Sequence, residues 1–176
     1  MFCKLRRISL TNFYSFHGTI TGITDFMTGQ NDNREGCYKF FTVENEEGMV
    51  VNFVISPSTY IVDHEMLQVG DNVTGYYNGD APAILIYPPQ YQALVMVKDQ
   101  INQNVKVSFF NNYLVSSDGQ LQLNLSPETQ ILLTNGQRFT RFPGNRDLVV
   151  FYQFTTRSIP AQTTPYRIIV LCQGMM

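Results

Sequence analysis

The sequence contains little charge and no long apolar run. Only 15% of its 176 residues are Asp, Glu, Lys or Arg, against roughly 25% in ordinary soluble domains. Asn, Gln and Thr fill polar positions instead, and a surface that repels itself so weakly is suited to packing against other protein. No stretch approaches the ~18–20 apolar residues that a membrane helix requires. We therefore expect a soluble chain without a membrane span.

Signatures of catalysis and of metal binding are lacking as well. The two histidines, His17 and His64, have no partner at ligand spacing, and neither a Gly-x-Ser-x-Gly elbow nor a Gly-rich phosphate loop occurs. Residues 31–36 resemble the opening of a calcium loop, but position 12 would be Thr42 where that loop requires Glu. The sequence thus predicts a protein that is not an enzyme and that has no cofactor or metal.

The cysteines are too few and too widely spaced for a zinc or thiol-exchange motif. They are Cys3, Cys37 and Cys172, and no Cys-x-x-Cys pair is present. Three reduced thiols are the simplest interpretation, although Cys3 and Cys172 lie near the chain ends and could cross-link neighbouring subunits. The basic N-terminal residues lead into polar ones, not into the apolar core of a signal peptide, so we expect a protein that is cytoplasmic on synthesis.

Short apolar runs, alternating or β-branched and bounded by turn residues, recur along the chain and predict strands. A short helix is expected only near residues 62–67. The predicted strands are residues 19–23, 38–43, 49–55, 72–77, 93–97, 105–109, 120–125, 148–154 and 167–171.

An internal repeat is indicated when Ser56–Ile61 is aligned with Ser126–Ile131. Val73–Tyr77 then matches Leu148–Tyr152, and a Pro-Tyr landmark follows each match at the same gap, so that Tyr91 corresponds to Tyr166. The repeated order predicts an all-β protein of two tandem small Greek-key, OB-like β-barrels. We expect an N-terminal arm at 1–17, a first module at 18–98 and a second module at 104–173.

Charge is distributed unevenly between the predicted modules. The first has three basic and ten acidic residues, for a net charge of −7, and the second has six basic and three acidic residues, for +3. Opposite patches on one subunit favour head-to-tail association, although the modules could instead dock on each other within one chain. The candidate assembly residues lie in the basic arm and near the C-terminus: Cys3, Lys4, Arg6, Arg7 and Cys172.

Two proline-rich loops, residues 81–91 and 159–166, combine apolar and aromatic side chains. If exposed, they would form adhesive surfaces; if buried, they would plug the ends of the barrels. Candidate residues for binding a glycan or a peptide are Tyr87, Tyr91, Arg157 and Tyr166.

Nucleic acid is a further candidate partner. A groove that binds single-stranded nucleic acid combines basic and aromatic side chains. The residues that could form one are Arg138, Arg141, Arg146, Phe139 and Phe142. The acidic first module would repel phosphate, so nucleic acid is an unlikely partner.

Several segments carry a family resemblance. They resemble an uncharacterised tandem β-domain of clostridia and related spore-forming Firmicutes. The segments are Tyr60–Asp63, Val69–Tyr77, Ile86–Tyr91 and Thr155–Pro165. In that group similar modules lie in secreted or envelope proteins, often beside the copper amine oxidase N-terminal-like domain, a stalk-like module. The resemblance implies a place on the spore or cell surface and no enzyme activity.

Together these features predict a non-enzymatic structural protein that assembles head-to-tail with copies of itself as a spore-surface or cell-surface subunit. The alternatives are a glycan- or peptide-binding β-module and an OB-like binder of single-stranded nucleic acid.

Overall fold

The computed structural model describes residues 10–27, 35–82 and 84–172. We call the part up to Lys98 the first half and the part from Asn104 the second half. The first half contains β1 (Phe13–Asp25), β2 (Lys39–Glu44), β3 (Val50–Ile55), β4 (Tyr60–Ile61), β5 (Asn72–Asn78), β6 (Gln90–Gln92) and β7 (Val95–Lys98). The second half contains β8 (Asn104–Phe110), β9 (Leu121–Leu123), β10 (Gln130–Leu133), β11 (Arg146–Tyr152), β12 (Ala161–Thr163) and β13 (Arg167–Leu171).

The strands form three sheets. The first half is one sheet in the order β4-β7-β5-β1-β2-β3-β6, in which β1, β2 and β3 are antiparallel neighbours. The second half has a sheet in the order β10-β13-β11-β8 and a separate pair of β12 and β9. In each half, the short strand after the Ser-Pro turn lies parallel to the last strand of that half.

The all-β class is confirmed, but the prediction of two closed OB-like barrels is wrong. The sheets form a β-solenoid of about three turns. The ladders end at edge strands, β4 and β6 in the first half and β10 and β8 in the second, and the β12–β9 pair lies apart. Alternating apolar residues require a pleated strand with one buried face, but they do not specify which strands pair.

The start of β1 lies inside the segment predicted as an arm. Residues 13–17 pair with residues 74–78 of β5; Phe13 and Phe16 are partly buried, and the other three side chains are exposed. Residues 1–9 lie outside the described residues, so a free arm there stays a prediction. The segment predicted as a short helix is a 3-10 turn at Val62–His64, which buries Val62.

The buried side chains form three clusters, and the middle one joins the two halves. It excludes water from side chains of both halves at once, so we expect the stability of one half to depend on the other. We call it the middle cluster, and its buried members are Val62, Tyr76, Val95 and Val97 from the first half and Val107, Val149, Phe151 and Ile169 from the second.

An ion pair spans the same junction. The Arg167 guanidinium donates to both oxygens of Asp63, at 2.6 and 3.2 Å, and lies 4.2 Å from the centroid of the Phe151 ring. The Tyr76 hydroxyl donates to the Val105 carbonyl oxygen at 3.3 Å. A two-pronged Arg–carboxylate pair fixes orientation as well as distance, so acidic and basic groups of the two halves meet within one chain.

The two Ser-Pro turns make the same hydrogen bonds. The Ser56 N–H donates to Thr59 Oγ1 at 3.0 Å, and the Ser126 N–H donates to Thr129 Oγ1 at 3.2 Å. The Thr59 and Thr129 N–H groups each donate to the carbonyl oxygen of the serine, at 3.0 Å. Identical bonds at the aligned positions give the two segments one local conformation.

Hydrogen bonds also give the register of the following strands. Thr59 Oγ1 donates to the Ala93 carbonyl, and the aligned threonine of the second half donates to the Pro165 carbonyl. Ala93 in the first half is therefore structurally equivalent to Pro165 in the second, and Leu94 is equivalent to Tyr166. Tyr91 lies three residues earlier, so the hydrogen bonds do not match it with Tyr166 as the Pro-Tyr landmarks do.

A close approach in the first core cluster requires a glycine. A Cβ on Gly75 would lie 2.6 Å from the Phe53 ring, far inside van der Waals contact. Phe53 is fully buried, and the rings of Tyr77 and Tyr91 lie beside it with centroids 6.2 and 6.4 Å away. β5 can cross this ring only because residue 75 has no side chain.

Candidate binding surfaces

An apolar loop projects from the first half between β5 and β6. Its side chains are Ile84, Leu85, Ile86 and Tyr87, with 69, 100, 48 and 81% of their surface exposed; we call these four residues the apolar tip. Isolated exposed apolar residues are ordinary, but a run of four is a contiguous patch of the kind that marks an interaction site. The proline-rich loop of the first half is therefore exposed and does not plug the fold.

Acidic side chains lie at the same end of the sheet as the apolar tip. The tip loop leaves β5 after Asn78, which pairs with Phe13, and the turn from β2 to β3 projects toward this same end of β1. That turn contains Glu46 and Glu47, and the tip loop contains Asp80. None of the three forms an ion pair with another described residue. The apolar tip thus shares its loop with one acidic residue, Asp80, and two more lie in the turn from β2 to β3.

A basic loop connects β10 and β11 in the second half. Arg138 and Arg141 are exposed, form no ion pair with any described residue, and accompany Phe142, which is 56% exposed. The Arg146 guanidinium covers the Phe139 ring, 4.9 Å from its centroid. That ring face is occupied, which weakens the predicted stacking platform for a single nucleic-acid strand. The basic loop therefore presents a cationic surface, formed by Arg138 and Arg141, with Phe142 as its exposed ring.

Three tyrosine rings pack together near the start of the tip loop. Tyr77 and Tyr91 stack with centroids 3.8 Å apart and an interplanar angle of 8°, and Tyr14 meets Tyr77 edge-on at 6.1 Å. Tyr14 in turn lies directly against Gly79, where the tip loop begins. Burial, followed by the hydrogen bond with Tyr91, raises the pKa of Tyr77 to about 12.

We expect the Tyr77 hydroxyl to ionise late in an alkaline titration followed by phenolate absorbance. Because the folded protein holds this proton more tightly, the contribution of Tyr77 to the free energy of unfolding is complete below about pH 10 and is lost as the pH rises toward about 12. Tyr77→Phe should remove one tyrosine from the late phase. A late phase of undiminished amplitude in this variant would contradict the assignment, and the phase should vanish in denaturant.

A shallow groove of about 440 Å³ lies in the second half, between the segment that follows β11 and strand β12. Two rings contribute to it, Phe154 with 82% and Tyr166 with 41% of their surface exposed. Among the described residues, no charged side chain lines it. Besides the Tyr166 hydroxyl, its polar lining consists of amides and hydroxyls: Asn124, Gln153, Gln162, Thr155, Thr156, Thr163 and Thr164.

Hydrogen bonds hold the walls of the groove. Asn124 Nδ2 donates to Gln162 Oε1 at 3.2 Å, and the Gln162 N–H donates to Thr156 Oγ1 at 3.0 Å. Gln103 Nε2 donates to the Tyr166 hydroxyl at 2.9 Å. The groove is therefore largely preformed, which reduces the entropy that ligand binding would cost.

The structure separates the four predicted binding residues. Tyr87 belongs to the apolar tip, Tyr91 stacks on Tyr77, and Tyr166 lines the groove in the other half. Arg157 is exposed but does not line the groove. No single site contains all four.

Of the predicted assembly residues, only Cys172 falls within the described ranges. It is exposed, carries a free thiol and directly follows β13. Cys3, Lys4, Arg6 and Arg7 lie outside the described residues, and their roles stay predictions.

His17 belongs to a small polar cluster at the join between the halves. Its Nδ1 lies 2.7 Å from Asp99 Oδ2, and the Thr74 hydroxyl donates to Asp99 Oδ1 at 2.8 Å. Because the Thr74 proton is directed at the carboxylate, the imidazole does not activate this hydroxyl as a nucleophile. The cluster links β1, β5 and the segment after β7.

Within the described ranges, no group of three His, Cys, Asp or Glu side chains could hold a metal ion. Most of the calcium-like segment, residues 31–34, lies outside them. No described helix has the length and apolar character needed to span a bilayer.

Comparison with known proteins found no match, either among family models or among curated proteins. The chemistry of the surfaces themselves is thus the basis for assigning a function.

Sequence reasoning missed most of the groove. Gln153, Phe154 and Gln162 carry no motif, and they come together only because β12 folds back beside the end of β11. The one available signal was the high content of Asn, Gln and Thr, which indicates uncharged polar surface but not its location.

Proposed function

We propose that the protein is a non-enzymatic structural subunit that assembles head-to-tail with copies of itself. The apolar tip carries this proposal, because nothing in the part of the chain that the structure describes removes its four exposed side chains from water. Burying a leucine side chain fully gains about 1.5–3 kcal/mol. An interface that covers Leu85 and its neighbours would therefore be strongly favoured.

Charge complementarity supports a second copy as the partner. The tip loop contains Asp80 and the turn from β2 to β3 contains Glu46 and Glu47, whereas the other half presents Arg138 and Arg141 beside an exposed ring. The acidic end of one subunit would meet the basic loop of the next. Since the two surfaces differ, the contact is heterologous and can propagate into a ring or a filament.

The surface location and the tandem duplication are also proposals. The resemblance to clostridial tandem β-domains is the basis for placing the subunit on a spore or cell surface. The equal hydrogen bonds at Ser56 and Ser126 support the idea that the halves arose as copies of one unit. The exposure of Cys172 supports a role in cross-linking neighbouring subunits.

Leu85→Ser should weaken self-association by tenfold or more, since it removes about 1.5–3 kcal/mol of apolar burial. Sedimentation velocity over a concentration series, at low and high salt, measures the effect. The matched control is Ile101→Ser, because Ile101 is 92% exposed but lies in the join between the halves.

Charge reversal at Arg138 and Arg141 should also reduce association, most clearly at low ionic strength. The parent protein should sediment as larger species at higher concentration, and added salt should shift it toward the monomer. A parent protein that stays monomeric throughout would refute the proposal. So would a Leu85→Ser variant that associates like the Ile101→Ser control.

A further inference from the structure

We infer that the groove beside Tyr166 is a binding site for a neutral oligosaccharide, a function separate from assembly through the apolar tip. Its volume of about 440 Å³ falls within the roughly 300–1,000 Å³ of small-molecule sites. Its open, shallow shape suits a chain of sugar rings better than a compact ligand.

The lining excludes charge as a means of recognition. The described residues that line the groove are all uncharged, so none of them is a cation that could hold a carboxylate, sulfate or phosphate. The ligand must be recognised through hydroxyl and amide hydrogen bonds and through apolar contact. A neutral pyranose chain offers both, hydroxyls around its rim and C–H groups on its ring faces.

Several polar side chains in the groove are free to bind. Gln153, Thr155 and Thr164 make no side-chain hydrogen bond with any described residue. An amide presents a donor and an acceptor side by side, and a hydroxyl can do either. These groups can therefore pair with neighbouring sugar hydroxyls, which also donate and accept.

The two rings provide the apolar contact. Phe154 is 82% exposed, and Tyr166 is held in place by the hydrogen bond from Gln103. An exposed aromatic ring loses little conformational entropy when a ligand binds, and covering its face with an apolar surface is favourable. Sugar C–H faces are such surfaces, so the rings and the amides address different parts of the same ligand.

The backbone of β12 argues against an extended peptide as the ligand. On one side, β12 pairs with β9. On the other side, the Gln162 carbonyl accepts from the Thr156 N–H at 2.9 Å, and the Gln162 N–H donates to the Thr156 hydroxyl. Strand addition requires unpaired backbone groups, and Gln162 at the centre of β12 offers none.

Titration of the ¹⁵N-labelled full chain with cellohexaose, chitohexaose or maltohexaose tests the inference. At least one of these sugars should shift the resonances of residues 153–156 and 162–166. Phe154→Ala and Tyr166→Ala should each weaken binding by up to roughly tenfold. Tyr113→Ala is the matched control, because Tyr113 is 73% exposed and does not line the groove.

The folded spectrum of Phe154→Ala separates loss of binding from loss of structure, since this ring is largely outside the core. Absence of shifts with all three sugars at millimolar concentration would overturn the inference. Tighter binding of the charged hexagalacturonate, or of an uncharged Gly-Ser-Gln peptide, would overturn it too. Because Leu85→Ser leaves the groove intact, its sugar binding should be unchanged, which keeps this result independent of the assembly test.

Discussion

Gly75→Val is expected to lower the free energy of unfolding by about 3 kcal/mol or more, at the upper end of what overpacking a core costs. Even the first added carbon would lie 2.6 Å from the Phe53 ring. Displacing the ring should be costly, because it is fully buried and the Tyr77 and Tyr91 rings lie beside it. Most domains are stable by only about 5–15 kcal/mol, so little folded protein should remain under mildly destabilising conditions.

Urea denaturation followed by circular dichroism measures this loss, and Gly22→Ala is the matched control. Gly22 also lies in a strand, but a Cβ there would meet Thr42 only at 3.9 Å, an ordinary contact. We expect the control to stay within about 0.5 kcal/mol of the parent protein. Equal midpoints for the two variants would show that the Phe53 ring can be displaced and that the close approach is not required.

Phe151→Ala should cost about 3–5 kcal/mol, the usual range for emptying a fully buried aromatic site. The effect should extend through the whole chain, because Phe151 belongs to the middle cluster, which both halves share. It also removes the ring on which the Arg167 guanidinium lies while that group pairs with Asp63. Amide hydrogen exchange should therefore accelerate in β5 and β7 as well as in β11 and β13.

The matched control for this variant is Phe154→Ala, three residues further along the chain and 82% exposed. It should leave stability nearly unchanged. If Phe151→Ala accelerated exchange in the second half alone, the halves would be energetically independent in spite of their shared cluster.

The strands were more predictable from the sequence than their arrangement. The run at 38–43 corresponds to β2, that at 49–55 to β3 and that at 72–77 to β5. Strands with one buried face show an alternation of apolar and polar residues, which can be recognised in the sequence. Residues 13–17 were not predicted as strand, because this part of β1 pairs only with β5 and buries little. The sheet order depends on pairing between distant segments, which periodicity does not record.

The candidate surfaces were predictable to the extent that they lie in one continuous segment. The apolar tip could be anticipated because four apolar residues follow one another between strands, and Tyr87 was named on that ground. The groove could not, since Asn124, Gln153 and Gln162 are distant in sequence and belong to residue types that are common on any surface. The predicted loop at 159–166 covers one wall of the groove, and Tyr166 is the one named candidate binding residue that lines it.

The Asp63–Arg167 pair has a consequence for the order of events during translation. The two residues are 104 positions apart, and the partner side chains of Val62, Val95 and Val97 also come from the later part of the chain. While the ribosome is still making the second half, the first half presents uncovered valines and an unmatched carboxylate. The nascent chain can therefore complete this packing only after residues 167–169 have emerged, and until then its apolar surface stays uncovered.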